Sequence, residues 1–186
     1  AIGDAYLGAN MRQQAIDSYI EAFNVLNTLE DADHLKIHIS PNLILTLLKI
    51  RETDKALVYL KQLEVLFDKY PTTSTLFYVS ICRAYYYVVT NQPDKALMYI
   101  TEATKANSEH DYPYMRFVLD YLHASYYKQN KQYDRALEKY GNLIKEINPA
   151  YSPNQHIQLN LQQAQLLSKL GQTDQACLIY QTANVL

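Results

Sequence analysis

The sequence has few of the residues that interrupt helices. Its 186 residues include four glycines and six prolines, and no tryptophan. Leucine, alanine, lysine, glutamine and tyrosine dominate instead, a composition that suits helices. Helix is therefore predicted along most of the chain, with the loops confined to short stretches.

An excess of basic residues is also missing. Lysine and arginine number 17 against 19 aspartates and glutamates, giving a formal net charge of -2. A nucleic-acid-binding protein usually carries a basic face or stripe, so a nucleic-acid partner is not expected. No run of about 18 apolar residues and no signal-peptide pattern occurs, so no membrane contact by this segment is predicted. Because the chain lacks an initiator methionine and opens with helical spacing, we expect a piece of a larger protein.

A four-residue phrase recurs along the chain. It reads Asp-Arg-Ala-Leu at 134–137 and returns in variant forms at 54–57, 94–97 and 174–177, with a weaker copy at 13–16. Its alanines stand at 15, 56, 96, 136 and 176, in steps of 41, 40, 40 and 40 residues. A fixed period of this size is typical of a stacked helical repeat. The predicted fold is all-α, an α-solenoid of about five antiparallel helix pairs in one domain over residues 1–186.

Punctuation by proline and by polar turns gives the units. They are predicted at about 1–30, 33–70, 74–110, 114–148 and 154–186, each a first helix, a short turn and a second helix. In the second unit two starts are open. Ser40 and Pro41 either begin the first helix, or that helix begins near Asp33 and continues through Pro41; we favour the longer helix because Leu35, Ile37 and Ile39 need burying.

Small residues face the recurring alanine. Gly3, Ala84, Ala124 and Ala164 each precede it by 12 residues, which allows the two helices of a unit to approach closely. Larger side chains are expected to fill the remaining space. On first helices they are Tyr6, Leu47, Tyr87, Tyr127 and Leu167, and on second helices Tyr19, Leu60, Ile100, Tyr140 and Tyr180.

This spacing of small residues and tyrosines resembles the tetratricopeptide repeat (TPR) family along the whole chain. The fourth unit is the best copy, with Ala124, Tyr127, Tyr133, Ala136 and Tyr140. The period is 40 residues here against 34 in the family. The aromatic residue that the family has near each unit's start is replaced by Ser40, Ser80, Asp120 and Asn160. Longer helices and a wider superhelix are expected from these departures.

The resemblance implies that first helices line a concave groove that binds a protein or peptide. Carried over position by position, the groove would present Asp4, His38, Leu45, Lys49, Tyr78, Tyr85, Tyr121, Ser125, Lys128, Gln129, Gln165 and Lys169. The alternative is that several of these tyrosines pack between helices. Chaperone-binding members of the family clamp a C-terminal carboxylate with lysine and asparagine. Since the asparagine position here reads Asp4, Leu45, Tyr85, Ser125 and Gln165, that adaptor role is not expected.

Catalytic chemistry is not expected in this segment. It has no glycine-rich phosphate loop, nucleophile elbow or Cys-x-x-Cys motif, and no cofactor or metal is predicted. His34 and His38 stand four residues apart, as metal ligands can, but are interpreted as solvated. His123 is interpreted as a packed histidine. Cys82 and Cys177 lie two repeats apart, too far for a disulfide, and are expected to be small core residues.

The sequence therefore predicts a non-catalytic repeat module that binds a protein or peptide in its groove. The tyrosine-rich, 40-residue style also resembles, more weakly, the sensory repeats of bacterial two-component histidine kinases and regulators. It favours an extracytoplasmic sensor region over a cytoplasmic one, with the compartment left open. The alternative is a structural or oligomerisation arm that self-associates through uncapped terminal helices, since an end unit without a polar cap exposes an apolar face.

Overall fold

The regular structure is helical throughout the residues that the computed structural model describes, which are residue 3 and the ranges 11–108, 113–150 and 152–183. No strand occurs among them, which confirms the predicted all-α class. The helices are α1 Arg12–Asn27, α2 Asp33–Lys49, α3 Thr53–Lys69, α4 Thr73–Val89, α5 Pro93–Ser108, α6 Pro113–Gln129, α7 Tyr133–Glu146, α8 Pro153–Lys169 and α9 Thr173–Ala183. The described bounds fall within two residues of the predicted ones.

Helix α2 takes the longer of the two predicted forms. It begins at Asp33 and continues through Pro41, which is buried inside the helix. The reason given for that form holds only in part, because Ile37 is buried but Leu35 is 44% exposed. Asp33 also ties the start of α2 to the end of α3, since the Lys69 ammonium donates to its carboxylate over 2.7 Å.

The helices group into two compact units, Ala1–Met115 and Arg116–Leu186. In the first unit, α2 packs on α3 and α4 packs on α5, and the two first helices α2 and α4 also contact each other. In the second unit, α8 packs on α9 and α7 packs on α8. Helices joined by turns this short run antiparallel, so each unit is assembled from helical hairpins.

The recurring alanines are buried, as predicted. Ala15, Ala56, Ala96 and Ala136 have no exposed surface and Ala176 is 1% exposed. In the second unit Ala124 shares a core cluster with Ala136, and Ala164 shares one with Ala176. Gly3 is the closest approach, because a Cβ added there would lie 2.6 Å from the Tyr19 ring. Not every small apolar residue is inside, however, and Ala22 and Cys177 are exposed where we expected core.

The turn inside each hairpin repeats one backbone conformation every 40 residues. The residue two after the last helical one has positive φ, at Arg51 (64°), Asn91 (58°), Lys131 (60°) and Gly171 (78°). The N–H of the following residue donates to a carbonyl five residues back, at 2.9–3.0 Å, in the pairs 52–47, 92–87, 132–127 and 172–167. This is the Schellman helix ending. The carbonyl of that following residue accepts the N–H of the repeat alanine, so one residue closes the first helix and opens the second.

Two glycines of the second unit should respond to alanine in opposite directions. Gly171 has φ of 78° and nothing within 4 Å of an added Cβ, so Gly171→Ala costs only backbone strain, about 1 kcal/mol. Gly141 lies inside α7, where an added Cβ is 3.8 Å from the Gln163 amide nitrogen. Gly141→Ala should therefore stabilise by roughly 0.5–1 kcal/mol. Urea unfolding of the two variants measures both effects, and a shift of both midpoints in the same direction would contradict the turn geometry.

Polar side chains occupy the position where the TPR family has an aromatic residue. Ser80 on α4 donates to the Glu102 carboxylate on α5 over 2.6 Å. One period later, Asp120 on α6 pairs with the Lys139 ammonium on α7. Each bond joins the first helix of a hairpin to the second. Hydrogen bonding here takes the place of aromatic packing.

Candidate partner-binding surfaces on the first helices

The predicted groove residues within the described ranges lie on the first helix of each hairpin. Asp4 lies outside the described residues. The others are His38, Leu45 and Lys49 on α2, Tyr78 and Tyr85 on α4, Tyr121, Ser125, Lys128 and Gln129 on α6, and Gln165 and Lys169 on α8. The α2 and α4 residues belong to the first unit and the α6 and α8 residues to the second.

In the first unit, the structure brings His38 and Tyr78 together. Their ring centroids are 6.1 Å apart and the rings meet edge to face at 72°. His38 is exposed and Tyr78 half-buried, so both offer surface to a partner. The two positions differ by one 40-residue period. Equivalent positions of these successive first helices are therefore neighbours in space.

Tyr85 does not reach the surface as expected. Only 9% of it is exposed, so the alternative of packing between helices is the correct one. The cause is helical spacing, because residues three and four apart share a face, and Cys82 and Ile81 are both buried. Tyr87, which was expected inside, is half-buried. It stacks on Tyr99 at 5.6 Å, with the Lys95 ammonium 5.1 Å from its ring centroid.

Lys49 lies at the end of α2 with an exposed side chain. Desolvation by the surrounding protein lowers the pKa of its ammonium, and repulsion by Arg12 on α1 lowers it further. The side chain is thus open to water while much of the water around it is replaced by protein. This surrounding suits a cation in a hollow of the surface better than one on a ridge.

In the second unit, four side chains from α6 and α8 form what we call the lysine–glutamine cluster: Lys128, Gln162, Gln165 and Lys169. The Lys128 ammonium donates to the amide oxygens of Gln162, at 2.5 Å, and Gln165, at 2.9 Å. Desolvation lowers the pKa of Lys128, and the charge of Lys169 lowers it further. The Lys169 ammonium lies 5.4 Å from the ring centroid of Tyr133, at cation–π distance.

One turn earlier on α6, Tyr121 and Ser125 extend the cluster. The half-buried Tyr121 ring meets the buried Tyr140 ring edge to face, at 6.1 Å. Ser125 donates to the Tyr121 carbonyl oxygen over 2.9 Å, and its hydroxyl lies 3.4 Å from that of Tyr140. Gln129, the last residue of α6, is half-buried. The predicted positions of the second unit thus form one neighbourhood.

Gln162 belongs to this surface but was not among the predicted residues. The signal was present, since Gln162 and Gln165 are three apart in one helix and so share a face. The family pattern places no groove position there, and only the bond from Lys128 shows that it takes part.

The histidines show different surroundings. His34 is exposed, with its Nδ1 3.1 Å from the Asp31 carbonyl oxygen. His123 is half-buried and stacks on Tyr127 at 6.1 Å. Burial lowers the pKa of His123, with a further contribution from Lys139 that Asp120 opposes. Within the described ranges, no group of three or more His, Cys, Asp or Glu side chains is arranged to hold a metal ion.

The polar groups on the first helices are amides, hydroxyls and lysine ammonium groups, which serve hydrogen bonding and charge recognition. Among the residues that the structure describes, no helix combines the length and apolar character needed to cross a bilayer. Comparison with protein-family models, with curated proteins and with solved structures finds no match to this chain.

Proposed function

We propose that this chain is a TPR-like α-solenoid that acts as a non-catalytic binding module, holding an extended segment of a protein partner along its first helices. The observation that carries the proposal is the contact between His38 and Tyr78, one repeat period apart on α2 and α4. Side-by-side first helices present equivalent positions as a row. An extended peptide can be read by such a row, one side chain per position.

The chemistry of the row supports a peptide ligand. Tyrosine offers a rigid apolar body with a polar tip, and Tyr78 and Tyr121 keep part of their rings accessible. Exposed Gln165 and half-buried Ser125 add groups that can bond to a peptide main chain. In contrast, the small residues that hold the hairpins together are buried and have no surface to offer.

A sensory role beside a bacterial histidine kinase or regulator remains part of the proposal through sequence resemblance alone. The competing proposal is a structural or oligomerisation arm whose first helices stay empty. The two differ in where substitutions act. A binding module loses its ligand when the first helices change, and a structural arm does not.

The test is selection of peptides from a random display library on the full chain, followed by affinity measurement with fluorescently labelled copies. For a peptide contacting these positions, His38→Ala or Gln165→Ala should weaken binding about tenfold, the loss expected for a contact worth about 1.4 kcal/mol. Gln175→Ala is the matched control for Gln165→Ala. Both glutamines are exposed in the second unit, but Gln175 lies on the second helix α9.

Selection of no peptide, or peptides whose affinity is the same for every first-helix variant, would contradict the module. A concentration-dependent dimer with insensitive first helices would support the structural arm instead. Sedimentation velocity at several protein concentrations measures the dimer directly.

A further inference from the structure

We propose that the lysine–glutamine cluster of the second unit is an oxyanion subsite that receives an acidic side chain of the bound segment. This inference rests on the proposed function, because it assigns the chemistry of one position in the bound peptide. It concerns only α6 and α8, and its residues are Lys128, Gln162, Gln165 and Lys169.

The first support is unbalanced charge. Elsewhere in the described part of the chain, several lysines pair with carboxylates: Lys69 lies 2.7 Å from Asp33, Lys55 lies 3.3 Å from Glu52, and Lys139 pairs with Asp120. Among the described residues, no carboxylate lies within 4.0 Å of the Lys128 or Lys169 ammonium. The contacts found for them are two amide oxygens and one tyrosine ring, all of them neutral.

The second support is the direction of the amides. Lysine has donors and no acceptor, so the oxygens of Gln162 and Gln165 must face Lys128. Each amide nitrogen, with two N–H donors, is then directed away from Lys128. Gln165 and Lys169 are both exposed. The cluster therefore offers a ligand ammonium and amide donors, which is the complement of an oxyanion.

The third support is that the two cations remain close at a cost. Lys128 is half-buried, and both desolvation and the neighbouring Lys169 disfavour its charged form. A bound anion would relieve both, because it attracts the two ammonium groups and replaces lost water as an acceptor. Binding an anion is thus favoured by the arrangement of the free surface.

A single acidic side chain fits better than a polyanion. Nucleic acid is held by many phosphate contacts, whereas this cluster has two lysines in a chain of net charge -2. The acidic group on a peptide has two sources, the carboxylate of aspartate or glutamate and the phosphoryl group of a modified residue. Both present oxygens to the same donors, so experiment must tell them apart.

The test is a titration of the isotope-labelled full chain, followed by NMR of the Gln162 and Gln165 side-chain amides and the lysine side-chain ends. The probes are blocked tetraglutamate, blocked tetraglutamine, a blocked phosphoserine peptide and inorganic phosphate. The expected result is a saturable shift of these four residues with an anionic peptide and none with tetraglutamine. Raising the salt concentration from about 50 to about 300 mM should weaken binding several-fold, since charge attraction is screened.

The decisive variant is Lys169→Gln, and its matched control is Lys145→Gln. Both lysines are exposed in the second unit and both changes remove one charge, but Lys145 lies in the last turn of the second helix α7. Lys169→Gln should raise the dissociation constant about tenfold and Lys145→Gln less than twofold. Equal effects of the two variants, or resonances that no anion moves, would overturn the subsite.

The source of the oxyanion follows from the probes. A response to tetraglutamate assigns a carboxylate, and a response to the phosphoserine peptide alone assigns a phosphoryl group. Inorganic phosphate binding as tightly as either peptide would overturn a role in peptide recognition. Library-selected peptides that bind the first helices but ignore Lys169→Gln would overturn the subsite while leaving the module intact, whereas failure to select any peptide counts against the module alone.

Discussion

Ala136→Leu is expected to destabilise the second unit by about 3 kcal/mol, at the upper end of the usual cost of overpacking a core. Ala136 has no exposed surface and lies in a core cluster with Ala124, Tyr140, Leu143 and Leu159. Leucine adds three carbon atoms to a contact that two alanines make possible. Either the helices move apart or Tyr140 leaves its rotamer, and both remove contacts that already exist.

The measurement is urea unfolding followed by circular dichroism, with Ala22→Leu as the matched control. Ala22 lies in helix α1 and is exposed, so the same chemical change there should alter the free energy of unfolding by less than about 0.5 kcal/mol. Ala96→Leu repeats the test in the first unit, where Ala96 has no exposed surface. If Ala136→Leu were as mild as Ala22→Leu, close helix approach would not be the basis of the repeat.

The sequence predicted the helices well because their signals are local. Proline at the start of α5 and the recurring Asp/Lys–Ala phrase mark where helices begin, and these depend on neighbouring residues alone. Burial of Ala96 and Ala136 followed from the same periodicity. The turns were harder, because Arg51, Asn91, Lys131 and Gly171 share a positive φ but have little in common as residue types. Backbone hydrogen bonds impose that conformation, so only the last of the four has the glycine that it favours.

The surface was predicted less completely than the fold. Lys128, Gln165 and Lys169 were predicted as separate groove positions, and the structure brings them together with Gln162. Tyr85 and Cys177 were misplaced in opposite directions, Tyr85 being buried and Cys177 exposed. A repeat pattern fixes which helix face turns inward on average. How far one long side chain extends from that face depends on neighbours in other helices, which the pattern does not specify.

Alkaline pH is expected to unfold the protein in two stages, set by Cys82 in the first unit and Tyr140 in the second. Burial raises the pKa of the Cys82 thiol. Burial, with a smaller contribution from Tyr121, also raises the pKa of the Tyr140 hydroxyl, although its bond to Ser125 opposes the shift. The unfolded chain releases these protons near about pH 9 and pH 10, while the folded chain keeps them.

The sign of the pH effect follows from that difference. Each raised pKa contributes stability that is fully present below the unfolded pKa and is lost as pH rises towards the folded one. The free energy of unfolding should fall by about 1.4 kcal/mol per pH unit above about pH 9 from Cys82, and by about twice that above pH 10 when Tyr140 joins. Both groups are almost fully buried, so solvent screening reduces this little.

Single substitutions separate the two contributions. In urea titrations between about pH 8 and pH 11, Cys82→Ala should remove the loss that begins near pH 9, and Tyr140→Phe the additional loss above pH 10. Tyr140→Phe keeps the ring that fills the core and removes a hydroxyl whose contact with Ser125 is 3.4 Å long, so its cost at pH 8 should be about 1 kcal/mol or less. A Tyr140→Phe variant as sensitive to pH above 10 as the parent protein would show that this hydroxyl ionises in the folded state, and that the Tyr140 ring is not held in the dry contact between α6 and α7 on which the hairpin depends.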